Sequence, residues 1–206
     1  MNQSRKEQII VATLKLASQK GLGAVSMNMI AQSVGIKKPS LYNHFKSKEE
    51  LLEEMYIFLR QQAKQKTNTE VQDVSLFLQN KTVCQFLQTM VANYIKMSTE
   101  ENIQMFYKVV YSERAFCSEA AKILTSESEK MIAETKKLFV FLQGQKLLWF
   151  EDVDISAMNF ALTVHAIMDY QADKSFGQNG TPKWDTSLTD KFVAEFCKSH
   201  EYKEKL

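Results

Sequence analysis

Ile10, Leu14 and Ala17, flanked by Ile9, Thr13 and Leu16, fall on one face of a helix predicted over residues 4–20. Gly21 can enter the left-handed backbone region and so end that helix, with Leu22 packing back on its last turn. Ser26 then stands before Met27, Ile30, Ala31 and Val34, an i, i+3, i+4, i+7 stripe that predicts a second helix of two turns, capped by the Ser26 hydroxyl and ended by Gly35. Pro39 suits the first position of a third helix, where its missing N–H would have no intrahelical partner, and Leu41 and Phe45 face inward from it. Ser47 followed by Glu50 reads as the capping box of a fourth helix, continued by Leu51, Leu52, Met55, Ile57, Phe58 and Leu59 to about Lys66. TNTEVQDV, residues 67–74, interrupts the apolar pattern and marks a boundary. Beyond it the spacing predicts long helices over roughly 76–98, 101–115, 118–147, 154–176 and 185–200, the fourth of them capped by Asp154.

Composition agrees with this reading. Among 206 residues, 45% are hydrophobic, only 6 are Gly and 2 Pro, and Lys, Glu, Gln, Leu, Met and Ala abound, which favours an all-α chain large enough for one or two domains. No apolar run is long enough for a membrane span and the polar opening MNQSRKEQ is no signal peptide, so a cytoplasmic protein with no membrane partner is expected. Cys84, Cys117 and Cys197 are odd in number and far apart, which argues against a disulfide framework or zinc site and for reduced, mostly buried thiols.

Charge changes the picture more. The net charge of +2 hides a division: residues 1–48 hold eight Lys and Arg against the single acid Glu7, a net of +7, while the remainder holds 18 basic and 23 acidic residues, a net of −5. A basic N-terminal lobe suits a polyanion, although a charge cluster can equally be solvated surface. The order of elements decides between them. Two short helices joined by a tight glycine turn form a helix-turn-helix, whose second helix enters the DNA major groove. Small Ala31 lets the two axes approach. With Leu41 and Phe45 inward, Lys37, Lys38, Ser40, Tyr42, Asn43 and His44 are left outward, able to donate to phosphates or reach base edges.

From Ile9 to about Leu52 the chain resembles the TetR-type (TetR/AcrR) transcriptional regulators. The resemblance rests on the first helix, Ser26 with Met27 and Ile30-Ala31, Val34-Gly35-Ile36, and the run Leu41-Tyr42-Asn43-His44-Phe45-Lys46-Ser47-Lys48-Glu49-Glu50-Leu51-Leu52. It implies that Lys37, Lys38, Pro39 and Tyr42 sit at base edges and that Ser26, Ser40, Tyr42, His44 and Lys48 contact phosphates. It also implies three parts: a helix-turn-helix domain over 1–48, a connecting helix and linker over 49–74 whose tilt carries a signal, and a helical ligand-binding and dimerisation domain over 75–206.

In that last part Met and aromatic residues are frequent. Such a stripe is often plain core, but with the resemblance it places an effector pocket among Met90, Tyr94, Met97, Phe106, Tyr107, Val110, Tyr111, Phe139 and Phe160. A mainly hydrophobic or aromatic small molecule follows. The penultimate helix carries more apolar and small residues than one inward stripe requires, and with the last helix it is expected to form a two-fold homodimer interface through Ala157, Ala161, Val164, His165, Met168, Phe192 and Phe196, unless the pair only closes the monomer core. His165 and Asp169, one turn apart, suit a local ion pair better than a catalytic dyad.

No glycine-rich phosphate loop, G-x-S-x-G or H-E-x-x-H occurs, so no catalytic residue, metal or cofactor is expected. The expectation is a homodimeric, ligand-responsive repressor bound to a palindromic double-stranded operator. The alternatives are a constitutive DNA-binding or architectural protein and, more remotely, a redox sensor built on Cys117, beside Arg114.

Overall fold

The computed structural model describes residues 4–67, 81–177 and 184–202. Its elements are α1 (Arg5–Lys20), α2 (Met27–Ser33), α3 (Lys38–Tyr42), α4 (Lys48–Thr67), α5 (Val83–Ser98), α6 (Glu101–Glu113), α7 (Ser118–Gly144), α8 (Val153–Gly177) and α9 (Ser187–Ser199). The fold class is all-α. Among the described residues there is no strand, only an isolated antiparallel bridge between Leu148 and Glu201, beside which Trp149 N–H donates to the His200 carbonyl at 2.8 Å. The segment 67–74 lies, after Thr67, outside the described residues.

Local chemistry fixes the helix ends. Ser4 and Glu7 form a capping box at the start of α1, and Gly21, at φ +78°, stops it while its N–H bonds to the Ala17 carbonyl at 2.8 Å. The end of α2 is a Schellman turn: Ile36 N–H reaches the Ala31 carbonyl at 2.9 Å and Gly35 N–H the Gln32 carbonyl at 3.1 Å, with Gly35 at φ +69°. The third helix starts one residue earlier than the sequence suggests. Lys37 is its N-cap and Pro39 its second residue. Ser47 caps α4 through Glu50 N–H at 3.2 Å, but the Glu50 carboxylate turns back to Lys46 N–H at 2.6 Å.

One expected cap is corrected. Asp152, not Asp154, begins α8: its Oδ1 accepts from Asp154 N–H at 2.9 Å and Ile155 N–H at 3.0 Å, while the Asp154 carboxylate pairs with Lys136. Either acid precedes the apolar stripe, and Asp152 wins because it alone stands outside the first turn with its oxygen over the free amides.

The chain divides into two compact units. The first gathers Met1–Thr69 and Ser98–Ser126, the second Glu70–Met97 and Glu127–Leu206. Contacts therefore assign α6 and the start of α7 to the unit that holds the helix-turn-helix, although they follow the boundary drawn in the sequence. In that unit α1 packs on α2, α4 and α6, burying Ile9, Ile10, Leu14, Leu41, Phe45, Met55, Phe106 and Val110. Thr13, fully buried beside them, satisfies its hydroxyl on the Ile9 carbonyl at 2.7 Å. The second unit is built on an aromatic core in which Phe139 stacks on Phe150 at 4.6 Å and meets Phe160 and Phe196 at 5.3 and 5.4 Å.

Candidate nucleic-acid interface and effector site

α3 is short, and it is held from both sides. Leu41 and Phe45, both fully buried, anchor it to the first unit's core, and the Schellman turn sets its angle to α2. That anchoring turns Lys37, Lys38, Pro39, Ser40, Tyr42, Asn43 and His44 outward together; all seven are exposed. The Lys38 ammonium lies 5.8 Å from the Tyr42 ring centroid, a cation–π contact that holds two of these side chains side by side. The arrangement offers cationic donors, an amide, an imidazole and a phenol from one short stretch, the inventory needed for phosphate and base-edge contacts.

Ser26, also assigned to phosphate, spends one lone pair on Met29 N–H at 3.2 Å and remains exposed. Lys48 is placed differently from a free surface lysine. Its ammonium donates to the carbonyls of Leu22 and Val25, each at 3.0 Å, and so ties the start of α4 to the α1–α2 connection. Two residues of this unit escaped the sequence reading because they are distant from the turn in sequence. Arg5 reaches the Val34 carbonyl at the end of α2 at 3.4 Å, and Glu113, the last residue of α6, accepts Gly23 N–H at 3.2 Å.

The residues expected to line an effector pocket fall into two groups. Phe106, Tyr107, Val110 and Tyr111 belong to the first unit, where Tyr56 of α4 stacks on Phe106 at 5.9 Å and Tyr107 meets Phe106 and Tyr111 at 5.8 and 6.2 Å. Met90, Tyr94, Met97, Phe139 and Phe160 belong to the second. There Phe139 is fully buried in the aromatic core, whereas Met90 and Tyr94 pack against that core half-exposed.

The expected interface residues divide by burial. Ala157, Ala161, Val164 and Met168 are buried inside the second unit, as is Phe196. His165 is half-buried, and its Nε2 hydrogen-bonds with the Tyr94 hydroxyl. Burial is the main cause that pushes its pKa down, opposed by the charges of Asp169 and Glu127. Phe192 is half-buried against Phe160 at 5.4 Å. The opposite face of α8 is the exposed one. Ile155, Met158, Leu162 and Tyr170, with Leu188 of α9, stand in solvent, and Leu162, Thr163, Ala166, Ile167, Tyr170 and Leu188 line a shallow groove of about 470 Å³.

Among the described residues no three His, Cys, Asp or Glu side chains gather to hold a metal ion, and no described helix is long and apolar enough to cross a membrane.

Comparison with known proteins bears on the same parts. Residues 9–55 match the family model of bacterial regulatory proteins, tetR family. An uncharacterized HTH-type transcriptional regulator of Bacillus subtilis, YhgD, is 32% identical over 80 residues, 39% of this chain and 42% of that protein. The HTH-type transcriptional repressor KstR2 of Mycolicibacterium smegmatis is 40% identical over 52 residues, 25% of each chain. The biofilm operon icaADBC negative transcriptional regulator IcaR of Staphylococcus aureus is 45% identical over 49 residues, 24% of this chain and 26% of that protein. These matches span less than half of the relatives' lengths. Likeness over nearly the whole chain is of fold: a TetR-family regulator from Mesorhizobium loti superposes with a TM-score of 0.70 at 18% identity over 96% of both chains, and the flavonoid-responsive regulator FrrA with 0.65 at 17% over 94% and 93%.

Proposed function

We propose that the chain, whose residues 9–55 match the tetR family model and whose fold is that of TetR-family regulators, is a TetR-type repressor that binds a palindromic DNA operator as a homodimer and leaves it when a small molecule binds. Such regulators are not enzymes, and this one works in the cytoplasm, where its operator is. The observation that carries the reading is the row Lys37, Lys38, Ser40, Tyr42, Asn43 and His44, exposed together around the buried Leu41 and Phe45.

Release follows from linkage. A ligand lowers operator affinity only if it binds the released conformation more tightly than the DNA-bound one. Two contacts support a route to the reading helix: Tyr56 on Phe106 joins α4 to α6, and Glu113 on Gly23 joins α6 to the connection before α2. A shift of α6 is thereby felt at both ends of the helix-turn-helix. The effector is hydrophobic or aromatic, matching the half-exposed Met90 and Tyr94 of the second unit, where the Tyr94–His165 pair gives it one polar anchor.

The test is a fluorescence-anisotropy titration of the protein against DNA flanking its own gene, at several salt concentrations, with random DNA as control. Operator binding should exceed the control and fall steeply with salt, and Tyr42→Ala should remove about 1 to 3 kcal/mol of it while leaving the oligomeric state unchanged. Equal binding of both DNAs by the wild type, or an unaltered affinity of the variant, overturns the assigned reading surface.

A further inference from the structure

Cys84 and Cys197, far apart in sequence, meet in the second unit. Cys84 opens α5 and packs against the core that contains Cys197, in the last turns of α9. The two helices are also joined by Gln88 Nε2, which donates to the Asp190 carbonyl at 3.2 Å. Both thiols are free, Cys84 half-exposed and Cys197 buried, and Cys84 is the neighbour that interacts with Cys197. Burial, and then Cys84 itself, push the Cys197 thiol up to about 12, so Cys197 keeps its proton and only Cys84 faces solvent as a nucleophile. Cys117 belongs to the other compact unit.

We propose that Cys84 and Cys197 are a reversible thiol–disulfide site, oxidised by hydroperoxides, whose disulfide staples α5 to α9. The Cys84 sulfur attacks the peroxide O–O bond, giving a sulfenic acid and releasing an alcohol, or water from hydrogen peroxide. The Cys197 sulfur then attacks the Cys84 sulfur; the S–O bond breaks, and the Cys197 proton leaves with the hydroxide as water. Two thiols lose two electrons and the peroxide gains them. A dithiol reductant reverses the step by exchange.

The test treats the reduced full-length protein with hydrogen peroxide under non-reducing conditions, followed by thiol titration and peptide mass mapping. Titratable thiols should fall from three to one, the monomer mass should fall by about two hydrogens, and one cross-linked peptide pair should contain Cys84 and Cys197. Dithiothreitol should restore all of it. Cys84→Ser and Cys197→Ser should each abolish the cross-link, and Cys117→Ser should leave it intact. The wild-type mass map stands even where Cys197→Ser folds poorly. Recovery of Cys84 and Cys197 as separately alkylated thiols, a stable sulfinic acid on Cys84, or a cross-link through Cys117 would overturn the proposal.

Discussion

The Lys48 ammonium donates to two backbone carbonyls in the α1–α2 connection, those of Val25 and of Leu22, which also accepts Val25 N–H. Hydrogen bonds from a charged donor contribute more than neutral ones, and removing the ammonium deletes both. Lys48→Ala should therefore lower stability in urea by about 1 to 3 kcal/mol, whereas a lysine that only touched phosphate would leave the melt unchanged and reduce the salt slope of operator binding. Measuring both on one variant separates the roles. His165 makes a second prediction at this scale. The groups facing it are Tyr94 of α5, Glu127 of α7 and Asp169 of its own helix, and burial outweighs the two carboxylates to hold it below its ordinary value of 6.5. The unfolded chain then binds a proton that the folded chain refuses. Stability is full above 6.5, is lost as pH falls below that value, and levels off once the folded-state pKa is passed. His165→Gln, which keeps a polar partner for Tyr94, should flatten the fall in melting temperature between roughly pH 7.5 and 5. Equal falls in the two proteins would remove His165 as the cause.

Among the elements, the glycines separate by backbone conformation. Gly35 sits at φ +69° in the Schellman turn, where a Cβ would meet no neighbour within 4 Å, so the cost of Gly35→Ala is conformational alone, about 1 to 2 kcal/mol. Gly23 also has open space and no positive φ; Gly23→Ala keeps the N–H that Glu113 accepts and should be neutral or stabilise by about 0.4 to 1 kcal/mol. Urea midpoints of the two variants test this directly, and a shift of the same sign in both would refute it. The ends of α1 and α2 were legible because glycine after an apolar stripe has one local meaning. The cap of α8 was not, since Asp152 and Asp154 both precede the stripe and differ only in where the first turn closes. Partners such as Lys48 with Leu22, Tyr94 with His165 and Cys84 with Cys197 are invisible for another reason. They are set by which helices pack, and spacing along one helix carries no information about its neighbour.

For the whole molecule the face of α8 is decisive. Its apolar residues form two opposed stripes, Ala157, Ala161, Val164 and Met168 on one side and Ile155, Met158, Leu162 and Tyr170 on the other. A sequence shows the excess of apolar positions but not which stripe the chain itself consumes. The structure buries the first and leaves the second exposed, continued by Leu188 on α9, so under the proposed homodimer the second is where another copy would dock. A two-fold pairing there would present two reading helices to half-sites about 34 to 36 Å apart, or a multiple of that spacing, and each head would raise the other's effective concentration at the operator. Leu162 is 42% exposed in the single chain, so Leu162→Glu should leave the fold intact, convert dimer to monomer in sedimentation velocity, and weaken operator binding on the order of 100-fold. Ala157 is fully buried, and Ala157→Glu should unfold the second unit, because a carboxylate would enter a core without a partner. A folded monomer from Ala157→Glu together with an intact dimer from Leu162→Glu would reverse the two faces, and with them the reading of how this chain pairs.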